Sequence, residues 1–350
     1  MRRSGPILNL RVGDRVRVRS LNEILATLDE DGCLDAMPFM PEMLAACGRE
    51  FTVLKRVDKV NDRVDRTGLR RMKHAVILDA VRCDGGAHGG CQALCQSIFK
   101  EAWLTKVPSG NALSLTKGPA PCTEDRLFRA TRRASPSGEA RFVCQATEMK
   151  RASAYLAWWD PRQYVRDLRS GNVPLREMIR VLFLPVLNTL MLRARGYRLW
   201  RWLHHAVYKL GGRTPYLEES GRLTKTPKLE LHLQPGELVR VKGYNEIIAT
   251  LDTNNKNRGL RFDVEMVKYC GGTYRVLTRV ERIIDEHSGR MITLPNDCII
   301  LDGVTTRGDH HRFYSQNEYP FWREIWLTRV SDEEAPAVLN PARNDAATSY

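Results

Sequence analysis

Gly13-Asp14-Arg15-Val16-Arg17-Val18 returns later in the chain as Gly236-Glu237-Leu238-Val239-Arg240-Val241, at an offset of 223 residues. The same offset holds without a gap from about residue 10 to residue 107. Asn22-Glu23-Ile24-Leu25-Ala26-Thr27-Leu28-Asp29 matches Asn245-Glu246-Ile247-Ile248-Ala249-Thr250-Leu251-Asp252. Phe39, Glu42, Met43, Cys47 and Gly48 recur as Phe262, Glu265, Met266, Cys270 and Gly271, and Ile77-Leu78-Asp79 recurs as Ile300-Leu301-Asp302. Glu101, Trp103 and Leu104 return as Glu324, Trp326 and Leu327. About a third of the aligned positions are identical, too many for coincidence at one fixed spacing. The chain is an internal duplication.

Each copy reads as short strands around a short helix. Val16 and Val18 alternate with Arg15, Arg17 and Arg19, the period of a half-buried strand. Asn22 is a plausible N-cap for a helix over 23–28. Residues 51–57 form another alternating strand, 75–78 a short buried one, and 102–107 would close the module. Five or so short strands opening on a Gly-Asp-x-Val-x-Val turn suggest an SH3-like small barrel, an architecture that hosts unrelated functions. The expected fold class is α+β, with such barrels at 1–107 and 233–330. A basic, partly helical connector at 108–232 lies between them, and a flexible tail follows at 331–350.

Charge is concentrated in the connector. Of a net +14 over 350 residues, Pro108 to His232 contributes 22 Lys and Arg against 10 Asp and Glu, or +12. A partner with negative charge would meet this segment. Its first part, 108–140, is rich in Pro, Ser and Gly and reads as a loop or strap. Asp160-Pro161 is a cap and first-turn pair for a helix over Arg162–Arg169, ended by Ser170-Gly171-Asn172. A second helix is expected from Leu175 to about Leu192, kinked at Pro185, and a third over Tyr197–Leu210. Val181–Leu192 is apolar but short of the roughly 20 residues that span a bilayer. Arg193, Arg195, Arg198 and Arg201 follow it, interleaved with Tyr197, Trp200 and Trp202. That mixture suits packing with a solvated basic face, an anionic membrane surface or nucleic acid, with 176–209 as the contact segment. Dimerisation through the apolar helix is a further use. Adjacent His204 and His205 cannot share a helix face and read as surface residues.

Nine cysteines is an odd count. The N-terminal sequence has no apolar run of signal-peptide length, so the expectation is a cytoplasmic protein, in part peripheral to the membrane, without a disulfide framework. Cys83, Cys91 and Cys95 fall with His88 inside 13 residues, Cys83-Asp84-Gly85-Gly86-Ala87-His88-Gly89-Gly90-Cys91-Gln92-Ala93-Leu94-Cys95, threaded by four glycines. Thiolate and neutral imidazole are the donors that zinc and iron–sulfur clusters prefer. His88 would complete a four-ligand set, or Cys144 would do so from Phe142-Val143-Cys144-Gln145. The alternatives are buried thiols or a reactive pair such as Cys91 activated by His88. At the twin positions of Cys83, Cys91 and Cys95 stand Thr306, Tyr314 and Glu318, and only His88 has a like twin, His311. The barrel therefore does not need these thiols, whereas the matched Cys47 and Cys270 suit a structural role.

The paired Glu-Ile-x-x-Thr-Leu-Asp segments, the 82–95 loop, Cys144-Gln-Ala-Thr-Glu148 and Trp158-Trp-Asp-Pro-Arg-Gln-Tyr164 carry a resemblance over most of the chain. It resembles a bacterial family in which two SH3-like barrels flank a WWDPRQY-containing basic middle. The resemblance implies the architecture and brings no activity. No Ser–His–Asp set, dinucleotide fingerprint or kinase signature is readable, so catalytic residues and substrate are left unassigned. The leading expectation is a metal-binding protein, zinc or iron–sulfur, acting as enzyme or enzyme accessory at the 83–95 loop. The alternative is a non-enzymatic scaffold that engages nucleic acid, an anionic membrane or a protein partner through the basic helices.

Overall fold

The computed structural model describes residues 7–62, 64, 67–107, 122–134, 138–179, 220–306, 308, 313–315 and 317–331. The first copy contains β1 (Arg15–Val18), α1 (Leu21–Leu25), β2 (Glu50–Arg56), β3 (Lys59–Asp62), β4 (Gly68–Arg71), β5 (Ala75–Arg82), β6 (Gln96–Lys100) and β7 (Leu104–Lys106). The connector adds α2 (Glu124–Ala130), α3 (Gln145–Glu148) and α4 (Pro161–Ser170). The second copy contains β8 (Leu238–Val241), α5 (Tyr244–Ile248), β9 (Thr273–Ile284), β10 (Met291–Leu301) and β11 (Leu327–Arg329). The result is mixed α+β, with two curled sheets and short helices.

In β1 the valines turn inward and are fully buried, while Arg15 and Arg17 reach the Glu50 carboxylate on the neighbouring strand at 2.8 and 2.6 Å. The strand order is β6-β5-β2-β1-β7 in the first copy and β10-β9-β8-β11 in the second. Pairing repeats at the sequence offset: Val16 faces Phe51 and Lys106, and Val239 faces Tyr274 and Arg329. Even the irregularity between Val53 and Lys55 recurs between Val276 and Thr278. The copies part at the sheet edge. Where β6 pairs with β5, the second copy keeps, among the described residues, an isolated bridge, Ile299 to Trp322. Pro320 stands there in place of Ser97 and has no N–H to give a ladder.

Identical buried fasteners hold each module. Glu101 accepts the N–H groups of Leu8, Asn9 and Leu10 and pairs with Arg56 at 2.5 Å; Glu324 does the same for Leu231, His232 and Leu233, with Arg279 at 2.8 Å. The indole N–H of Trp103 donates to Thr27, and that of Trp326 to Thr250.

Three local expectations are corrected. The helix expected over 23–28 begins at Leu21 with Ser20 as its cap, because the Glu23 carboxylate bonds back to the Ser20 N–H and hydroxyl. Within the 108–140 strap, residues 124–130 are helical: Thr123 accepts the Arg126 N–H, and Leu127 is buried against Gly32. Seven residues are too few to show a helical period in sequence. The strand expected over 75–78 runs on to Arg82 and delivers the chain to the cysteine loop. The Asp160-capped helix closes at Gly171, in the left-handed region.

The two copies face each other. The Gln92 N–H donates to the Arg282 carbonyl at 3.1 Å, and its twin, the Ser315 N–H, donates to the carbonyl of Lys59, the twin of Arg282, at 3.0 Å. Reciprocal use of one surface on both partners is the mark of an isologous, two-fold contact, here within one chain.

Candidate metal centre

The loop after β5 is closed by backbone bonds that do not involve its side chains. The Cys83 N–H donates to the Cys95 carbonyl at 2.9 Å and the Gly90 N–H to the Gly85 carbonyl at 2.8 Å. The second copy repeats both, from Thr306 to Glu318 and from Phe313 to Gly308, each at 2.8 Å. Gly85 needs its lack of a side chain: φ is +74°, and a Cβ would stand 2.1 Å from the Cys91 carbonyl oxygen. Both copies thus share these two closures, and only the first carries thiols between them.

Glu42, on the 3-10 turn Pro41–Ala46, braces the loop from below. Its Oε1 accepts the Ala87 N–H at 3.0 Å and lies 2.7 Å from His88 Nδ1. The other ring nitrogen, Nε2, lies 3.5 Å from Cys83 Sγ. All three side chains are withdrawn from solvent, and their donor atoms fall within 4.8 Å of one another. Glu42 was not a candidate from sequence, because its match to Glu265 marks it as scaffold. Glu265 performs the equivalent brace, accepting the Gly308 N–H at 3.0 Å.

Cys144 arrives from the connector. Gln145 imitates a strand residue: its side chain accepts the Ile98 N–H at 2.7 Å and donates to the Ile98 and Pro38 carbonyls. That pins α3 to β6 and sets Cys144, at the start of α3, on the same cavity wall system as the loop. The cavity has a volume of about 170 Å³, and Cys83, His88, Cys91, Cys95 and Cys144 all line it. Its opposite wall comes from the second copy, including Ile283, Ile284 and Phe321. Gln92 fixes that wall, accepting the N–H groups of Glu281 and Arg282 at 2.7 and 3.1 Å.

Electrostatics sharpen the contrast between thiol and thiolate. Burial, with the Glu42 and Cys95 charges adding, pushes the Cys83 thiol far above its ordinary range. Burial likewise pushes Cys144 up to about 11, against the opposing pull of the Thr147 and Ala146 N–H groups. Burial raises the Glu42 carboxyl, but the hydrogen bond and charge of His88, with backbone N–H groups including that of Ala87, together hold it below its usual value. N–H groups nevertheless aim at three of the sulfurs: Gly85 at Cys83, Ile284 at Cys91 (3.4 Å), Ala146 and Thr147 at Cys144. Such donors favour the charged sulfur.

Cys47 packs against the first core and Cys270 against the second, apart from the cavity. The arginines expected to meet polyanions (Arg193, Arg195, Arg198 and Arg201), the second and third connector helices beyond 179, His204, His205 and His311 lie outside the described residues. Among the described residues no helix is long and apolar enough to cross a membrane. Comparison of the chain with protein-family models, curated proteins and solved structures finds no match.

Proposed function

We propose that this protein is a metalloprotein whose centre sits between its two copies, on the thiolates of Cys83, Cys91, Cys95 and Cys144, with His88 oriented beside it by Glu42. The observation that carries the reading is that thiols from two remote segments line one cavity, although no three of them come as close together as the sequence leads one to expect. The twin segment, which shares two closing backbone bonds and has no cysteine, argues that the sulfurs serve something added to the scaffold. Burial disfavours a free thiolate at Cys83 and Cys144, and a bound cation would favour it. The cavity extends past the sulfurs to Asp62, Arg70 and Tyr319, which leaves space for a small substrate and favours an enzyme or a metal-bearing accessory. We read the two modules as SH3-like barrels, on their strand number, order and shared opening turn, and the chain as a relative of the two-barrel bacterial family it resembles.

Metal content of protein purified without oxygen tests this. One centre per chain is expected, lost in Cys83→Ser and Cys91→Ser and kept in Cys47→Ser. Metal-free protein, or retention in both loop variants, would sink the proposal.

A further inference from the structure

We infer that the centre is polynuclear, an iron–sulfur cluster on four cysteines, with His88 a hydrogen-bonding neighbour instead of a ligand. This rests on the metal-centre reading above and goes on to name the metal.

Ligand spacing decides between the two chemistries. Four thiolates on one zinc ion, each at about 2.3 Å in a tetrahedron, stand roughly 3.8 Å apart. Among the described residues, the donor set found mutually within 4.8 Å is Glu42, Cys83 and His88. No three of the four cavity sulfurs meet that limit, and none of Cys91, Cys95 or Cys144 lies within it of both Cys83 and His88. Cys83 Sγ and His88 Nε2 have a zinc-like separation, 3.5 Å. Glu42 brings a third donor within 4.8 Å of both. One thiolate, one imidazole and one carboxylate still fall short of the four ligands of a structural zinc site.

The cage is instead wide. A single ion between touching sulfurs leaves no cavity, whereas these sulfurs line one of about 170 Å³, several times the ~30 Å³ share of one water. A cluster carries its thiolates on the outside of a multi-atom core, so it needs both the volume and the separation. Its surroundings also match: Met40, Ile77, Ile98 and Ile284 give apolar walls, and peptide N–H groups reach three sulfurs. Burial and hydrogen bonds to sulfur are the two means by which proteins hold and tune such clusters. His88 Nε2, facing Cys83 Sγ, is placed to add a further one.

The test uses the full chain, purified without oxygen and also reconstituted with ferrous iron and sulfide. Expected are iron and acid-labile sulfide in equal amounts, a broad visible absorption, and iron–iron scattering in the X-ray absorption spectrum. Cys144→Ser should lose most of the iron, while His88→Ala should keep iron and sulfide and shift the spectrum. The scattering measurement on the unmodified protein stands even if a variant fails to fold. One zinc per chain without sulfide would overturn the cluster and leave the metal centre intact. Loss of the cluster in His88→Ala with retention in Cys144→Ser would overturn the ligand set. No metal after reconstitution would overturn both proposals.

Discussion

At the level of single residues, the loop depends on one position that cannot carry a side chain. Gly85 and Gly48 share a positive φ, +74° and +77°, but a Cβ at Gly48 meets nothing within 4 Å while one at Gly85 meets the Cys91 carbonyl oxygen at 2.1 Å. Alanine at either pays the left-handed conformation, about 1 kcal/mol. At Gly85 the loop must also open, so Gly85→Ala should cost at least about 2 kcal/mol more than Gly48→Ala and should release the metal. Urea unfolding of the two variants measures the difference directly; equal costs would mean that the loop yields without strain. Gly308→Ala, whose Cβ would stand 2.3 Å from the Tyr314 carbonyl oxygen, should destabilise the second module and leave the metal bound.

Between elements, the strongest fasteners are the twin glutamates that gather the chain entering each module. Glu101 is fully buried, satisfies three N–H groups of residues 8–10 and pairs with Arg56. Glu101→Gln removes the more buried of the two carboxylates that Arg56 pairs with, and removing one partner of a buried pair costs up to about 3–5 kcal/mol. Glu324→Gln should cost a similar amount in the other module. A loss below about 1 kcal/mol by thermal or urea unfolding would show that Arg56 finds full compensation at Asp58, 3.0 Å away. The duplication was readable because both copies must satisfy the same buried groups, so Glu101, Trp103 and Thr27 could not drift from Glu324, Trp326 and Thr250. The loop cysteines were readable for the opposite reason, as departures from the repeat. What sequence could not convey was distance. Cys144 reaches the cavity only because Gln145 hydrogen-bonds to β6, and Glu42 serves His88 through a contact made across 46 residues of chain. The seven-residue helix α2 stayed hidden because its one buried anchor, Leu127, has no periodic companion.

Across the whole molecule, Lys59 stands where both copies and the connector meet. Its carbonyl accepts the Ser315 N–H, its ammonium pairs with Asp167 of α4, and it lies over the rings of Tyr164 and Phe313 at 5.1 and 5.7 Å. Lys59 and Asp167 are both wholly buried, so desolvation works against charge on each. Burial, opposed by Lys59, pushes the Asp167 carboxyl from an ordinary 3.8 up to about 6. Burial also lowers Lys59, against the pull of Asp167. A carboxyl raised in this way binds its proton more tightly in the folded than in the unfolded chain. Its contribution to stability is therefore fully present below about pH 4 and is lost as the pH rises through 6. Lys59 gives the reverse slope at alkaline pH, where stability rises towards its ordinary 10.5. Other buried carboxylates lose stability in acid, so the measurement must be a difference. Unfolding free energies of the native chain and of Asp167→Asn, compared from pH 4 to pH 7, should converge on the native side as the pH climbs, because only the native chain loses this contribution. A constant difference across that range would mean that Asp167 titrates as it does in water, and that the junction is held by an ordinary ion pair.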